Sequence, residues 1–111
     1  MTENTVPAQV PAAQVPADAH LVDVREDDEW AAGHAPGAAH IPLGELGARY
    51  TEIPQDTPVY VICRGGTRSN QAAHALVGAG WQVINVSDGM RGWAAAGRPM
   101  TNDSSTPPYV A

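Results

Sequence analysis

Cys63 is the only cysteine of the chain, and Arg64-Gly65-Gly66-Thr67-Arg68-Ser69 follows it directly. A free thiol with an ordinary pKa of about 8.5 is only about 3% thiolate at pH 7. Neighbouring arginines and a helix N-terminus can bring that value down to roughly 3.5–7.5, which leaves the nucleophile largely ionised. This segment supplies both causes. Gly65 and Gly66 let the backbone curl so that successive N–H groups point inward, an anion nest around the sulfur. Arg68 can clamp a substrate oxyanion, and Arg64 can draw one in. Each feature alone has a plainer reading: a lone cysteine is a small buried hydrophobe, a Gly-Gly pair a tight turn, and two arginines a solvated surface. Together they read as a site for a reactive thiolate.

The elements around the loop position it. Val59-Tyr60-Val61-Ile62 is the strongest strand signal and ends at Cys63. Residues 70–79 form the clearest helix, with Ala72-Ala73 and Leu76-Val77 on one face, Ser69 as N-cap and Gly80 as its C′ stop. Its positive dipole end faces the thiol. Upstream, Leu21-Val22-Asp23-Val24 reads as a short buried strand, and Asp27 or Asp28 caps a short helix through Glu29-Trp30-Ala31-Ala32 that stops at Gly33. A loop over 34–38 leads to a brief strand at His40-Ile41, after which Leu43 and Leu46 stand at helical spacing. Val83-Ile84-Asn85-Val86 is another strand, followed by a last helix over 91–96. Strands alternating with helices predict a parallel sheet covered on both faces. Ligands of such folds bind beyond the carboxyl ends of the strands. Cys63 stands at such an end.

Composition narrows the function. The 111 residues suit one domain with a single core, 43% apolar and 16% charged, without Phe and with three Trp. The core must therefore lean on alanine and small aliphatics at close backbone approach. A net charge of -6 argues against nucleic acid and anionic membranes as partners. All six basic residues are Arg, and two of them follow Cys63. That contrast favours a small anionic substrate. A single cysteine excludes an internal disulfide or a thiolate metal cage. The absence of a signal-peptide pattern and of a membrane-spanning run makes a cytoplasmic location the expectation. The expected organisation is a Pro/Ala-rich segment over 1–17 with a possible edge strand, a domain over 18–100 and a loosely ordered tail over 101–111. The first segment repeats Val6-Pro7-Ala8, Val10-Pro11-Ala12 and Val15-Pro16-Ala17, a proline density that permits only an edge strand and turns.

At these motifs the chain resembles the single-domain rhodaneses, the sulfurtransferase family. The matching pieces are Leu21-Val22-Asp23-Val24-Arg25-Glu26, Glu29-Trp30, Gly33-His34-Ala35-Pro36-Gly37-Ala38, Ile41-Pro42, the stretch from Val59 through Cys63 to Ser69, and Gly89-Met90-Arg91-Gly92-Trp93. His40 stands where the family more often has Asn. The resemblance implies a three-layer α/β/α fold around a five-stranded parallel sheet. It also implies that Cys63, cradled by the backbone amides of 64–68, attacks the sulfane sulfur of a donor such as thiosulfate. Cys63 would hold that sulfur as a persulfide and pass it to cyanide, a cellular thiol or a protein acceptor. Arg64 directly after the nucleophile implies thiosulfate rather than mercaptopyruvate. No cofactor is implied, and a monomer is the default. Four residues separate Cys63 from Arg68, whereas phosphatases resembling this fold have five, so the ring of amides suits one sulfur rather than a phosphoryl group. The alternative is a relay or sensing module that takes persulfide sulfur from a partner protein without turnover of its own.

Other residues carry weaker signals. Asp23, Arg25 and Glu29 read as a structural polar network rather than an acid–base set, with Asp23 tying down loop backbone and Arg25 pairing with Glu29. His20, His34, His40 and His74 lack partners at ligand spacing, so no metal is expected. Trp30, Trp81 and Trp93 are core candidates, with Trp93 a possible edge of the pocket mouth.

Overall fold

The computed structural model describes residues 6–111; the first five residues of the Val-Pro-Ala segment lie outside them. Five strands, β1 (Ala8–Val10), β2 (His20–Asp23), β3 (Ala39–His40), β4 (Val59–Ile62) and β5 (Val83–Val86), pair in parallel in the order β1-β5-β4-β2-β3. Four helices complete the α/β fold: α1 (Asp27–Ala32), α2 (Leu46–Arg49), α3 (Thr67–Gly78) and α4 (Gly89–Ala95). Successive strand residues point to opposite faces, and the core divides accordingly. Val59 and Val61 of β4 join Val22, Val24, Leu46, Ala72, Ala73 and Leu76 on the face covered by α2 and α3. Ile62 joins Leu21, Val86, Met90, Trp93 and Ala12 on the face covered by α4 and the N-terminal segment. Ala72 and Ala73 are almost fully buried, so α3 lies close on the sheet, as a core short of large side chains requires. Each buried Val or Leu contributes about 1.5–3 kcal/mol.

β1 pairs with β5 at one edge of the sheet, flanked by Pro7 and Pro11, which have no N–H to give to a ladder. A 3-10 turn over Ala12–Gln14 then packs on α4: Ala12 N donates to Asp88 at 2.7 Å, and Arg98 donates to the carbonyls of Ala12 and Val15 at 2.7 and 2.6 Å. The tail over 101–111 has no helix, and its backbone is nonetheless anchored. Thr101 and His34 exchange two backbone hydrogen bonds of 2.8 and 2.9 Å, and Tyr109 N donates to Ala32 O at 3.1 Å. Among the described residues no helix is long and apolar enough to cross a membrane.

Several local boundaries differ from the sequence reading, each for a visible reason. α3 starts at Thr67, not Asn70, because Gly66 adopts a left-handed φ of 103° and serves as N-cap. Ser69 is thus no cap: it is fully buried in the first turn. Glu26 rather than Asp27 or Asp28 stands at the N-cap of α1, where its N–H donates to the Glu29 carboxylate at 3.0 Å. The third strand ends at His40, and α4 begins at Gly89, two residues earlier than the apolar pattern suggests. Gly80 stands past the end of α3 with a φ of 105°, as a C′ glycine should.

Candidate active site

Cys63 follows the central strand at the point where the order of the sheet reverses, since β2 leads outward to β3 while β4 leads the other way to β5. Its side chain lies at the floor of the loop, 1% exposed. Gly66 N donates to Sγ at 3.0 Å, and Ser69 Oγ lies 3.3 Å from Sγ. The loop turns its amides inward because its carbonyls are held from behind. Met90 N donates to Cys63 O at 2.8 Å, Arg91 N to Arg64 O at 3.0 Å, and Asn85 Nδ2 to Gly66 O at 3.2 Å. Two glycines make this possible. A Cβ on Gly66 would stand 2.2 Å from Ser87 O, and one on Gly89 would stand 2.5 Å from the carbonyl oxygens of both Cys63 and Arg64.

Burial pushes the Cys63 thiol up, but hydrogen bonds from the Ser69 hydroxyl and from the backbone N–H groups of Ser69, Gly66 and Gly65 outweigh it. The net effect holds the thiol below its ordinary range. The cradle therefore favours the thiolate more than the surroundings of a free cysteine do.

The charged residues are arranged differently from the sequence expectation. Arg25 does not pair with the Glu29 carboxylate. It forms a fully buried ion pair with Asp23, Nη2 to Oδ2 at 2.7 Å and Nε to Oδ1 at 2.9 Å, and reaches only the backbone carbonyls of Glu29 at 3.2 Å and Gly33 at 2.8 Å. The reason is geometric. A buried guanidinium needs a bidentate partner in the dry interior, and Asp23 supplies one from the same strand end. Asp23 and Arg25 thus hold α1, and α1 carries Glu29 to Arg68. That pair is bidentate, at 2.7 and 2.8 Å across 39 residues of chain. The Arg68 guanidinium is the main reason that the Glu29 carboxyl is lowered to about 2; the Arg68 pKa rises in return. Arg64 is exposed and donates through Nε to Ala111 O at 2.9 Å. Gly65 and Thr67 are exposed at the rim of the loop.

Asn85 and Gln9 were not marked by the sequence as residues of the site, and Gly89 stood there only as part of the family motif. Asn85 had a signal: a carboxamide inside Val-Ile-Asn-Val points into the core, where a polar group needs partners. His34 and His40 stack on the Trp30 indole, with ring centroids at 3.6 and 4.7 Å, and His40 Nε2 donates to Arg25 O at 2.8 Å. They are therefore loop anchors. Among the described residues no group of three His, Cys, Asp or Glu is placed to hold a metal ion. Trp93 of α4 is buried against the sheet and donates through its indole N–H to Pro99 O at 2.8 Å.

The fold and the site thus define a class of protein, a parallel α/β sheet whose central strand ends in a cysteine ringed by backbone amides. The chain matches the model of the rhodanese-like domain over residues 7–96, and it belongs to that family. It is 39% identical over 84 residues to a protein of Allochromatium vinosum named a sulfurtransferase, covering 75% of this chain and 78% of that one. It is also 44% identical over 75 residues to YrkF of Bacillus subtilis, named as a candidate sulfur carrier protein, covering 67% of this chain. The chain spans 40% of the length of YrkF and 60% of that of the B. subtilis protein YqhL. The crystal structure of a rhodanese-related protein from Thermoplasma volcanium superposes with a TM-score of 0.80 at 28% identity, covering 85% of this chain and 97% of that one.

Proposed function

We propose that the protein is a sulfurtransferase that moves a sulfane sulfur from a thiosulfate-like donor to a thiol or cyanide acceptor through a persulfide on Cys63. The Cys63 thiolate attacks the outer sulfur of thiosulfate. A new S–S bond forms, the old one breaks, and sulfite leaves with the electron pair. The acceptor then takes the outer sulfur, cyanide becoming thiocyanate, and Cys63 returns as thiolate. Two half-reactions through one covalent intermediate give ping-pong kinetics. The observation that carries this reading is the set of amide and hydroxyl donors converging on Sγ, led by Gly66 N at 3.0 Å. The short loop makes that cradle sulfur-sized. A thiol that must be free between turnovers suits a reducing compartment such as the cytoplasm.

A second reading, a persulfide relay fed by a partner protein, has one observation on its side. Both loop guanidiniums have partners within the chain, Arg64 on Ala111 and Arg68 on Glu29. Intact mass after incubation with thiosulfate separates the two. Gain of one sulfur, absent in Cys63→Ser and discharged by cyanide, supports the enzyme. Gain only from a sulfur-loaded carrier protein supports the relay. No gain from either source overturns both.

A further inference from the structure

Ser69 is the side chain that offers Cys63 a hydroxyl, and that hydroxyl has two claimants. Its Oγ lies 2.6 Å from Asn85 Oδ1 and 3.3 Å from Cys63 Sγ. A serine hydroxyl has one proton to donate, and a carboxamide oxygen can only accept. The proton given to Asn85 is withdrawn from the sulfur. Asn85 cannot turn away, because its Nδ2 donates to Gly66 O at 3.2 Å, a group that can only accept, and to Gln9 Oε1 at 2.8 Å. Gln9 is oriented in turn by its bond from Nε2 to Asn70 Oδ1 at 2.7 Å. Ser69 and Asn85 are 0% and 2% exposed, so the competition takes place away from bulk water.

We propose that Asn85 is a positioning residue that acts through Ser69, competing with Cys63 for the hydroxyl proton and so setting the pH at which the thiol ionises. In the thiol state the Cys63 S–H can turn to Ser69 Oγ while the Ser69 proton rests on Asn85. On ionisation the proton swings to the sulfur, and Asn85 Oδ1 is left without a donor in a buried place, which is costly. Asn85 is thus a brake on the thiolate. The charged groups near the sulfur are Arg68 of α3, balanced by Glu29 of α1, and Arg64 of the loop, turned to Ala111; Asp23 and Arg25 at the end of β2 close on each other. The inference rests on Cys63 being the nucleophile and does not depend on which donor it meets.

The test is the pH dependence of iodoacetamide alkylation of the full chain, read by intact mass. Asn85→Leu keeps the branching of the side chain and removes the acceptor, so the midpoint should fall and the rate one pH unit below the wild-type midpoint should rise at least threefold. Asn85→Asp keeps an acceptor and adds charge, so the midpoint should rise and that rate should drop at least tenfold. In a Ser69→Ala background Asn85→Leu should change the rate less than twofold. Midpoints that move in the same direction in the Leu and Asp variants, as loosening of the loop would cause, overturn the proposal, as does a Leu effect that survives without Ser69. If Asn85→Leu does not fold, Gln9→Leu on the exposed edge strand decides. Losing that acceptor weakens the polarised chain of hydrogen bonds, so a smaller fall of the midpoint supports the proposal, and an unchanged or raised one overturns it. A wild-type thiol no more reactive at low pH than an ordinary one counts against the proposed function instead, and the comparison between variants stays readable.

Discussion

Glu29→Gln removes one charge from the site and leaves α1 nearly as it was, since a glutamine oxygen can still accept the Glu26 N–H that Glu29 accepts at 3.0 Å. What disappears is the ionic part of the bidentate contact to Arg68, at 2.7 and 2.8 Å. The pair lies at the edge of solvent, with the Arg68 side chain 33% exposed and that of Glu29 14%. After solvent screening the change should cost about 1 kcal/mol at neutral pH. The pH dependence identifies the source. The Glu29 carboxyl is held at about 2 in the folded chain, below the ordinary value of about 4.3. Its contribution is therefore complete above roughly pH 5 and is lost as pH falls toward 2. Urea unfolding midpoints between pH 6 and 2.5 should show a loss in the wild type that is smaller by this amount in the variant. The functional consequence runs the other way. Release of Arg68 gives the site a free guanidinium, so the KM for thiosulfate should fall three- to tenfold with kcat little changed. A KM that rises or stays the same while the acid-sensitive term vanishes would refute the idea that Glu29 withholds Arg68 from the donor. An unchanged acid dependence would refute the assignment of that term to Glu29.

Three further substitutions test the framework. Gly66→Ala forces a side chain into the left-handed region and against Ser87 O, so it should cost about 2–3 kcal/mol and slow Cys63 alkylation, checked by thermal unfolding and intact mass. Arg25→Leu leaves Asp23 as an unpaired buried charge and should destabilise by about 3–5 kcal/mol; adding Asp23→Leu should recover part of the loss, as chemical denaturation will show. Gly33→Ala places a Cβ 2.6 Å from Tyr109 O and 2.8 Å from Met100 Cε. It should detach the tail and raise hydrogen exchange over 101–111, with little change in the sheet.

Much of this protein was legible in the order of its residues. The strand Val59–Ile62 running into Cys63, the glycines after it and the helix that follows are local patterns, and local backbone preferences are written residue by residue. The alternation that yields a covered parallel sheet is of the same kind. The boundaries were less legible because they depend on packing. α3 begins at Thr67 because Gly66 must pass Ser87 O, and α4 begins at Gly89 because its first amides cap the carbonyls behind Cys63.

The partners of the charged and polar groups lay beyond the sequence altogether. Residue type and spacing marked Asp23, Arg25 and Glu29 as a polar network with a local Arg25–Glu29 pair, and set Arg68 apart as a clamp for an anion. The burial of Arg25 assigned it to Asp23, and the placement of α1 carried Glu29 to an arginine 39 residues away. Asn85, 22 residues beyond the cysteine, reached Ser69 only because β5 lies beside β4. The sequence by itself determined that a cysteine would stand at the end of a strand in a nest of amides, because that arrangement is built from adjacent residues. Only the tertiary structure decided which groups share its protons and its charge, since hydrogen bonds between distant segments depend on which faces the sheet brings together.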